Sequence, residues 1–123
     1  MHMGEHNYNE ANLDQQDLID LDQWGRLSRE LGLDTLLEFA TEFFEETREQ
    51  WVDQQVDLHS MPEKAFQSLA HRSAGAAGTI GFMRLRFVFL CMEHNPIGDA
   101  TQRYMQHMRM VLEDTERWVA SQH

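Results

Sequence analysis

One histidine, His71, lies on a predicted helix whose neighbouring turns carry almost no side chains. The run from Ala70 to Gly81 reads AHRSAGAAGTIG, and helical spacing places Gly75 and Gly78 one and two turns beyond His71 on the same face. The imidazole would then stand above bare backbone. Because a neutral imidazole is nucleophilic near pH 7, this placement predicts a reactive, accessible histidine. Close packing of a neighbouring helix is the alternative explanation for the small residues.

The apolar residues of the same helix predict which way His71 points. They form a stripe consisting of Phe66, Leu69, Ala70, Ser73, Ala77 and Ile80. His71 is displaced from this stripe by one position, or about 100° around the helix, so we expect it to face outward. Each helical glycine costs about 1 kcal/mol relative to alanine, which indicates that something other than helix stability favours these glycines.

The segment resembles the signature of histidine-containing phosphotransfer (HPt) domains. In that family the phospho-accepting histidine is followed by lysine at the third position, glycine at the fourth, a small residue at the fifth and glycine at the tenth. A leucine near the fourteenth position and a polar residue near the twenty-second follow. The corresponding residues here are Ala74, Gly75, Ala76, Gly81, Leu85 and Glu93. Alanine in place of lysine is the departure from the signature.

The resemblance implies a phosphocarrier of a two-component phosphorelay rather than an enzyme. His71 would accept a phosphoryl group from the phospho-aspartate of one receiver domain and pass it to the aspartate of another. The implied partners are response-regulator receiver domains and a hybrid sensor kinase. Mg²⁺ would be bound by the receiver, and this chain would bind no cofactor.

Glu93 occupies the family's position for a polar partner of the histidine. The resemblance implies that its carboxylate bonds to one ring nitrogen of His71 and fixes the tautomer. The alternative is a helix-end carboxylate in solvent, as is common for glutamate.

A basic region surrounds His71 in a chain of net charge −11. Between Glu63 and Glu93 there is no acidic residue, and the cations there are Lys64, Arg72, Arg84 and Arg86. Such a patch attracts an anion or the acidic pocket of a partner, although helices also carry scattered arginines for structural reasons. We expect Arg84, and after it Arg72, to supply the charge that Ala74 lacks and to stabilise the phosphoryl oxygens.

The predicted docking surface surrounds His71 on the same side of the domain. It comprises Lys64, Gln67, Ser68, Gly75, Gly78 and Arg86. Without the lysine, the alternative function is a phosphorylation-independent adaptor that binds receivers and relays no phosphate.

Length and composition exclude several classes of protein. A chain of 123 residues predicts one domain. The strong negative charge argues against nucleic acid as a partner. The single cysteine, Cys91, suits a reducing compartment, and no apolar run approaches a membrane span or signal peptide, so we expect a cytoplasmic protein. No histidine arrangement predicts a metal site, since the His2 and His6 pair lacks further ligands.

The polar first 17 residues predict a mobile tail, followed by one domain over residues 18–123. A short helix should start at Leu21 and end at Gly32. Ser60 is the predicted N-cap of the helix that carries His71, with Pro62 in its first turn and Glu63 at the capping-box position. The remaining predicted helices run from Leu33 to Trp51, from Met83 to His94, and beyond Gly98. This pattern predicts an all-α fold, an antiparallel up-down-up-down four-helix bundle with a short additional N-terminal helix.

Overall fold

A computed structural model describes residues 8–53, 60–95 and 97–122, and within these ranges the secondary structure is entirely helical, without strands. A 3₁₀ helix comes first, at Glu10–Gln15. The α-helices are α1 (Leu21–Leu31), α2 (Leu33–Arg48), α3 (Glu63–Ile80), α4 (Met83–His94) and α5 (Asp99–Ala120). A π-helical turn, Glu49–Asp53, extends α2. No helix in the described ranges is both long enough and apolar enough to span a membrane.

The helices enclose one hydrophobic core. Helix α3 packs mainly against α4, α4 also packs against α5, and α2 contacts both α3 and α5. Phe82, which is fully buried, lies between the rings of Phe44, Phe43 and Trp24. Helix α4 is buried on most of its circumference, as its succession of apolar residues predicts. This burial gives the helix that carries Glu93 a fixed position beside α3.

Helix α3 begins later than its capping signal predicts. Pro62 is the N-cap, so the predicted N-cap at Ser60 is wrong. The carboxylate of Glu63 accepts a hydrogen bond from the backbone N–H of Ile97, 3.0 Å away, instead of closing a capping box. On the buried side of α3, the indole of Trp51 donates to the hydroxyl of Ser73 at 2.9 Å. Ser73 is therefore a buried hydrogen-bond acceptor as well as a small packing residue.

A tight turn at Gly81 joins α3 to α4. Gly81 has φ = 98°, a left-handed conformation that strains any residue with a Cβ, and its N–H satisfies carbonyls of the last turn of α3. Its own carbonyl accepts from the backbone N–H of Asp20 at 2.8 Å. Asp20 is also the N-cap of α1, where its side chain accepts from the N–H of Gln23. The turn thus connects the His71 helix to the N-terminal helix.

Residues 8–17, assigned to a mobile tail because of their polar composition, instead pack against the bundle. Leu13 is buried in the core. The carboxylate of Glu10 lies 2.8 Å from Nε2 of His107 and 3.0 Å from Nε of Arg103, both on α5. Leu13 and Glu10 therefore anchor this segment to the bundle. Such residues are too few in the segment to form a recognisable sequence pattern. Residues 1–7, including His2 and His6, lie outside the described residues.

Candidate functional site

His71 lies at the middle of α3, and its side chain is 71 % exposed. Its Nδ1 is 3.0 Å from Oε2 and 3.1 Å from Oε1 of Glu93 on α4. An ionised carboxylate can only accept, so the neutral tautomer that satisfies this contact carries its proton on Nδ1. The lone pair is then on Nε2, which makes no hydrogen bond to any described residue. The outward orientation expected for His71 and its contact with Glu93 are both present.

Glu93 lies between two imidazoles. Besides contacting His71, its Oε1 is 3.8 Å from Nε2 of His94, the next residue along α4. The ring of His94 stacks on that of Tyr8, with centroids 4.9 Å apart and planes inclined by 18°. The side chain of Glu93 is only 20 % exposed, so its carboxylate is confined between α3 and the side chain of His94.

His71 opens onto a shallow depression of about 480 Å³ on the α3–α4 face. The other side chains that line it are Lys64, Gln67, Ser68, Arg72 and Glu93. Lys64 and Arg72 bring two cations to the surroundings of the imidazole, and both are exposed. An anion that approached Nε2 would meet these charges, since an ammonium and a guanidinium are the usual partners of phosphoryl oxygens.

Arg84 does not lie near His71. Its Nε donates to the backbone carbonyl of Gln16 at 2.9 Å, and it stands nine residues before Glu93, about 13 Å along α4. The expected reach of Arg84 toward His71 is therefore absent. This guanidinium instead ties the N-terminal segment to the start of α4. Of the two arginines expected to stabilise an anion, the structure brings only Arg72 to the depression.

The two glycines on the His71 face have different surroundings. A Cβ built on Gly78 would lie 3.0 Å from Cδ of Arg86, so Gly78 makes room for the stem of that arginine. A Cβ on Gly75 would meet no atom of the described residues within 4 Å. Packing therefore accounts for Gly78, whereas Gly75 keeps an open surface one turn beyond His71.

Ala74 occupies the position of the family's lysine and is only 2 % exposed. Three residues along a helix correspond to a rotation of about 300°, which places Ala74 roughly 60° from His71 and toward the core. A long charged side chain there would have to extend from the helix interface to reach solvent. Ala74 thus contributes packing and no charge to the site.

The described residues offer neither a metal-binding cluster nor a reactive thiol besides the His71 site. No three or more His, Cys, Asp or Glu side chains among those residues are grouped to hold a metal ion. Cys91 is buried, and this burial raises the pKa of its thiol to about 12, so it remains a protonated, poor nucleophile.

Comparison with protein families, curated proteins and solved structures finds no match to this chain.

Sequence reasoning missed the contacts that lead from Glu93 to the N-terminal segment. His94 lies 3.8 Å from Oε1 of Glu93, and Tyr8 stacks on His94. Sequence reasoning also missed Glu10, which binds Arg103 and His107 on α5. Tyr8 and Leu13 are the isolated apolar anchors of a polar segment, and neither belongs to a periodic pattern. Only their burial in the folded chain reveals them.

Proposed function

We propose that this chain is a histidine phosphotransfer protein that relays a phosphoryl group between receiver-domain aspartates through His71. The observation that carries the proposal is the exposed imidazole at the edge of the depression, whose Nδ1 contacts Glu93 while Nε2 makes no hydrogen bond to a described residue. In this arrangement one nitrogen is occupied by an orienting carboxylate and the other is available for reaction. The proposed setting is a cytoplasmic two-component phosphorelay.

The proposed transfer uses the lone pair of Nε2. It attacks the phosphorus of an aspartyl phosphate, a P–N bond forms, and the P–O bond to the aspartate breaks to leave a carboxylate. Positive charge that develops on the ring is stabilised by the Glu93 carboxylate at Nδ1. The positive charges of Lys64 and Arg72 stabilise the negatively charged phosphoryl oxygens, and the receiver supplies Mg²⁺. The second receiver reverses these steps with its own aspartate.

The proposed architecture is an antiparallel up-down-up-down bundle formed by α2 to α5, with α1 as the additional N-terminal helix. The sequential packing of α3 on α4 and of α4 on α5, together with the contacts of α2, supports this topology. The short turn between α3 and α4 supports it as well. Such a bundle presents the α3–α4 face, with Gly75 uncovered, to a receiver or to a hybrid sensor kinase.

Ala74 favours a second candidate function. Alanine lacks the charge that the HPt signature places beside the phosphoryl group, and its position is buried. If Lys64 and Arg72 cannot compensate, the same face docks receivers without accepting phosphate, and the chain is an adaptor. Binding without transfer is the result that separates the two functions.

The experiment incubates the chain with phosphorylated receiver domains and measures acid-labile, base-stable phosphate. Wild type should become labelled, whereas His71→Gln should not, and the helical circular dichroism of this variant should equal that of wild type because the side chain is exposed. His59→Gln is the control and should retain labelling, because His59 is not part of the proposed site. An unlabelled wild type that still binds receivers would establish the adaptor instead.

A further inference from the structure

We propose that the N-terminal segment acts as a positioning clamp for Glu93 and thereby determines which nitrogen of His71 is free. The N-terminal clamp is defined as Tyr8 and Glu10 together with Asn95, Arg103 and His107, which hold them. The inference deepens the proposed phosphotransfer function and rests on His71 being its reactive group. The contact of the clamp with Glu93 passes through His94.

The clamp is attached to two helices of the bundle. The side-chain amide of Asn95 donates to the carbonyl of Tyr8 at 2.8 Å, and the ring of Tyr8 also contacts Phe87 on α4, with centroids 5.6 Å apart. Glu10 accepts from Arg103 and His107 on α5. These hydrogen bonds lower the pKa of the Glu10 carboxyl, so it remains charged at neutral pH. Tyr8 is thus held through both its backbone carbonyl and its ring.

His94 connects Tyr8 to Glu93. Its ring lies between Tyr8, on which it stacks, and the Glu93 carboxylate 3.8 Å from its Nε2. The side chain of His94 is 48 % exposed, so without the stack it would gain rotamers. Glu93 would then lose the His94 ring as a wall beside its Oε1. A carboxylate without that wall populates rotamers that do not reach the imidazole.

The position of Glu93 determines the tautomer of His71. With Glu93 held at Nδ1, the ring proton stays on Nδ1 and the lone pair of Nε2 remains free to react. When Glu93 is released, the neutral ring becomes a mixture of both tautomers. The fraction with a nucleophilic Nε2 decreases, although neither Tyr8 nor His94 contacts His71. Tyr8 and His94 are therefore positioning residues.

The test measures the ring ¹⁵N resonances of His71 in the full chain, at a pH where the imidazole is neutral. In wild type the protonated Nδ1 and the unprotonated Nε2 should be widely separated. Tyr8→Ala should move the two resonances toward each other, whereas Tyr8→Phe, which keeps the stacked ring, should match wild type. Identical spectra for Tyr8→Ala and wild type would overturn the proposal. So would a Tyr8→Phe spectrum shifted as far as that of Tyr8→Ala.

A second variant distinguishes loss of the His94 contact from local unfolding of the N-terminal segment. His94→Ala removes the wall and leaves the anchors of Glu10 in place, so it should shift the His71 resonances as Tyr8→Ala does. The Arg103 resonances serve as a control and should stay unchanged in His94→Ala. Unshifted His71 resonances in His94→Ala would overturn the proposal even if Tyr8→Ala fails to fold.

A transfer assay separates this inference from the proposed function. Labelling of Tyr8→Ala by a phosphorylated receiver should be about threefold slower than labelling of wild type, a typical effect of a mutation that acts through an intermediate residue. A wild type that never accepts phosphate would refute the relay while the ¹⁵N spectra still decide the clamp. Normal labelling of Tyr8→Ala with an unchanged tautomer would refute the clamp and leave the relay intact.

Discussion

The carboxylate of Glu93 lies 3.0 Å from Nδ1 of His71, although 22 residues separate them in the chain. The turn at Gly81 explains this proximity, because the two residues stand at similar distances before and after it. Ten and twelve residues of helix correspond to about 15 and 18 Å, so paired helices bring them side by side. The near-equal spacing of His71 and Glu93 from Gly81 in the sequence therefore explains why they are neighbours in the fold.

Glu93→Ala should slow phosphoryl transfer by about tenfold, because it removes a charge-assisted contact that orients the ring and stabilises its developing charge. Glu93→Gln, which keeps an acceptor oxygen, should have a smaller effect. Single-turnover labelling by a phosphorylated receiver measures both variants. A Glu93→Ala rate equal to that of wild type would show that the contact plays no part in transfer.

Lys64→Gln and Arg72→Gln should each slow transfer, by roughly three- to tenfold, because both side chains line the depression beside His71. The effects should weaken as salt is added, since both charges are exposed. Arg84→Gln is the comparison variant and should slow transfer less than either of these, because Arg84 binds the carbonyl of Gln16 and does not line the depression. A larger loss for Arg84→Gln than for the other two variants would contradict this assignment.

Ser73→Ala should lower the free energy of unfolding by about 1–3 kcal/mol, because it leaves the buried indole N–H of Trp51 without its acceptor. Ser68→Ala, on the exposed side of the same helix, should change the free energy by less than about 0.5 kcal/mol. Urea titrations measure both values. Equal stabilities of the two variants would mean that the indole finds another acceptor.

The Glu10 anchor should make stability depend on pH at the acid end. Hydrogen bonds from His107 and Arg103 lower the pKa of Glu10 below its ordinary value of 4.5. The stabilisation is therefore complete above that value and is lost as the pH falls through the lower pKa of the folded state. The melting temperatures of wild type and Glu10→Gln should differ most at neutral pH and converge in acid. A difference that stays constant with pH would contradict the ion pair.

Much of the helical arrangement could be predicted from the sequence because its signals are local. Gly32 and Gly81 end helices with positive φ, and the apolar run of α4 gives that helix its predicted bounds, Met83 to His94. The start of α3 was misplaced because Glu63 bonds to the distant N–H of Ile97 rather than within its own turn. A capping signal cannot reveal such a long-range competitor.

The core of the candidate site could be predicted from the sequence, and its surroundings could not. Helical spacing predicts the outward position of His71, and the resemblance to the HPt signature implies its contact with Glu93. The position of Arg84 depends on the carbonyl of Gln16, in a segment whose polar composition predicted a tail. Tyr8 and His94 meet only through the tertiary fold. Contacts between segments far apart in the chain therefore account for both the misplaced arginine and the missed clamp.

The most direct test of the proposed relay identifies the atom that carries phosphate. The wild-type chain, labelled by a phosphorylated receiver, is examined by NMR for coupling of phosphorus to the ring nitrogens. The relay predicts a single phosphohistidine, at His71, with phosphorus on Nε2 because Glu93 occupies Nδ1. Phosphate on Nδ1, on another residue, or on no residue of a chain that binds the receiver would contradict this account.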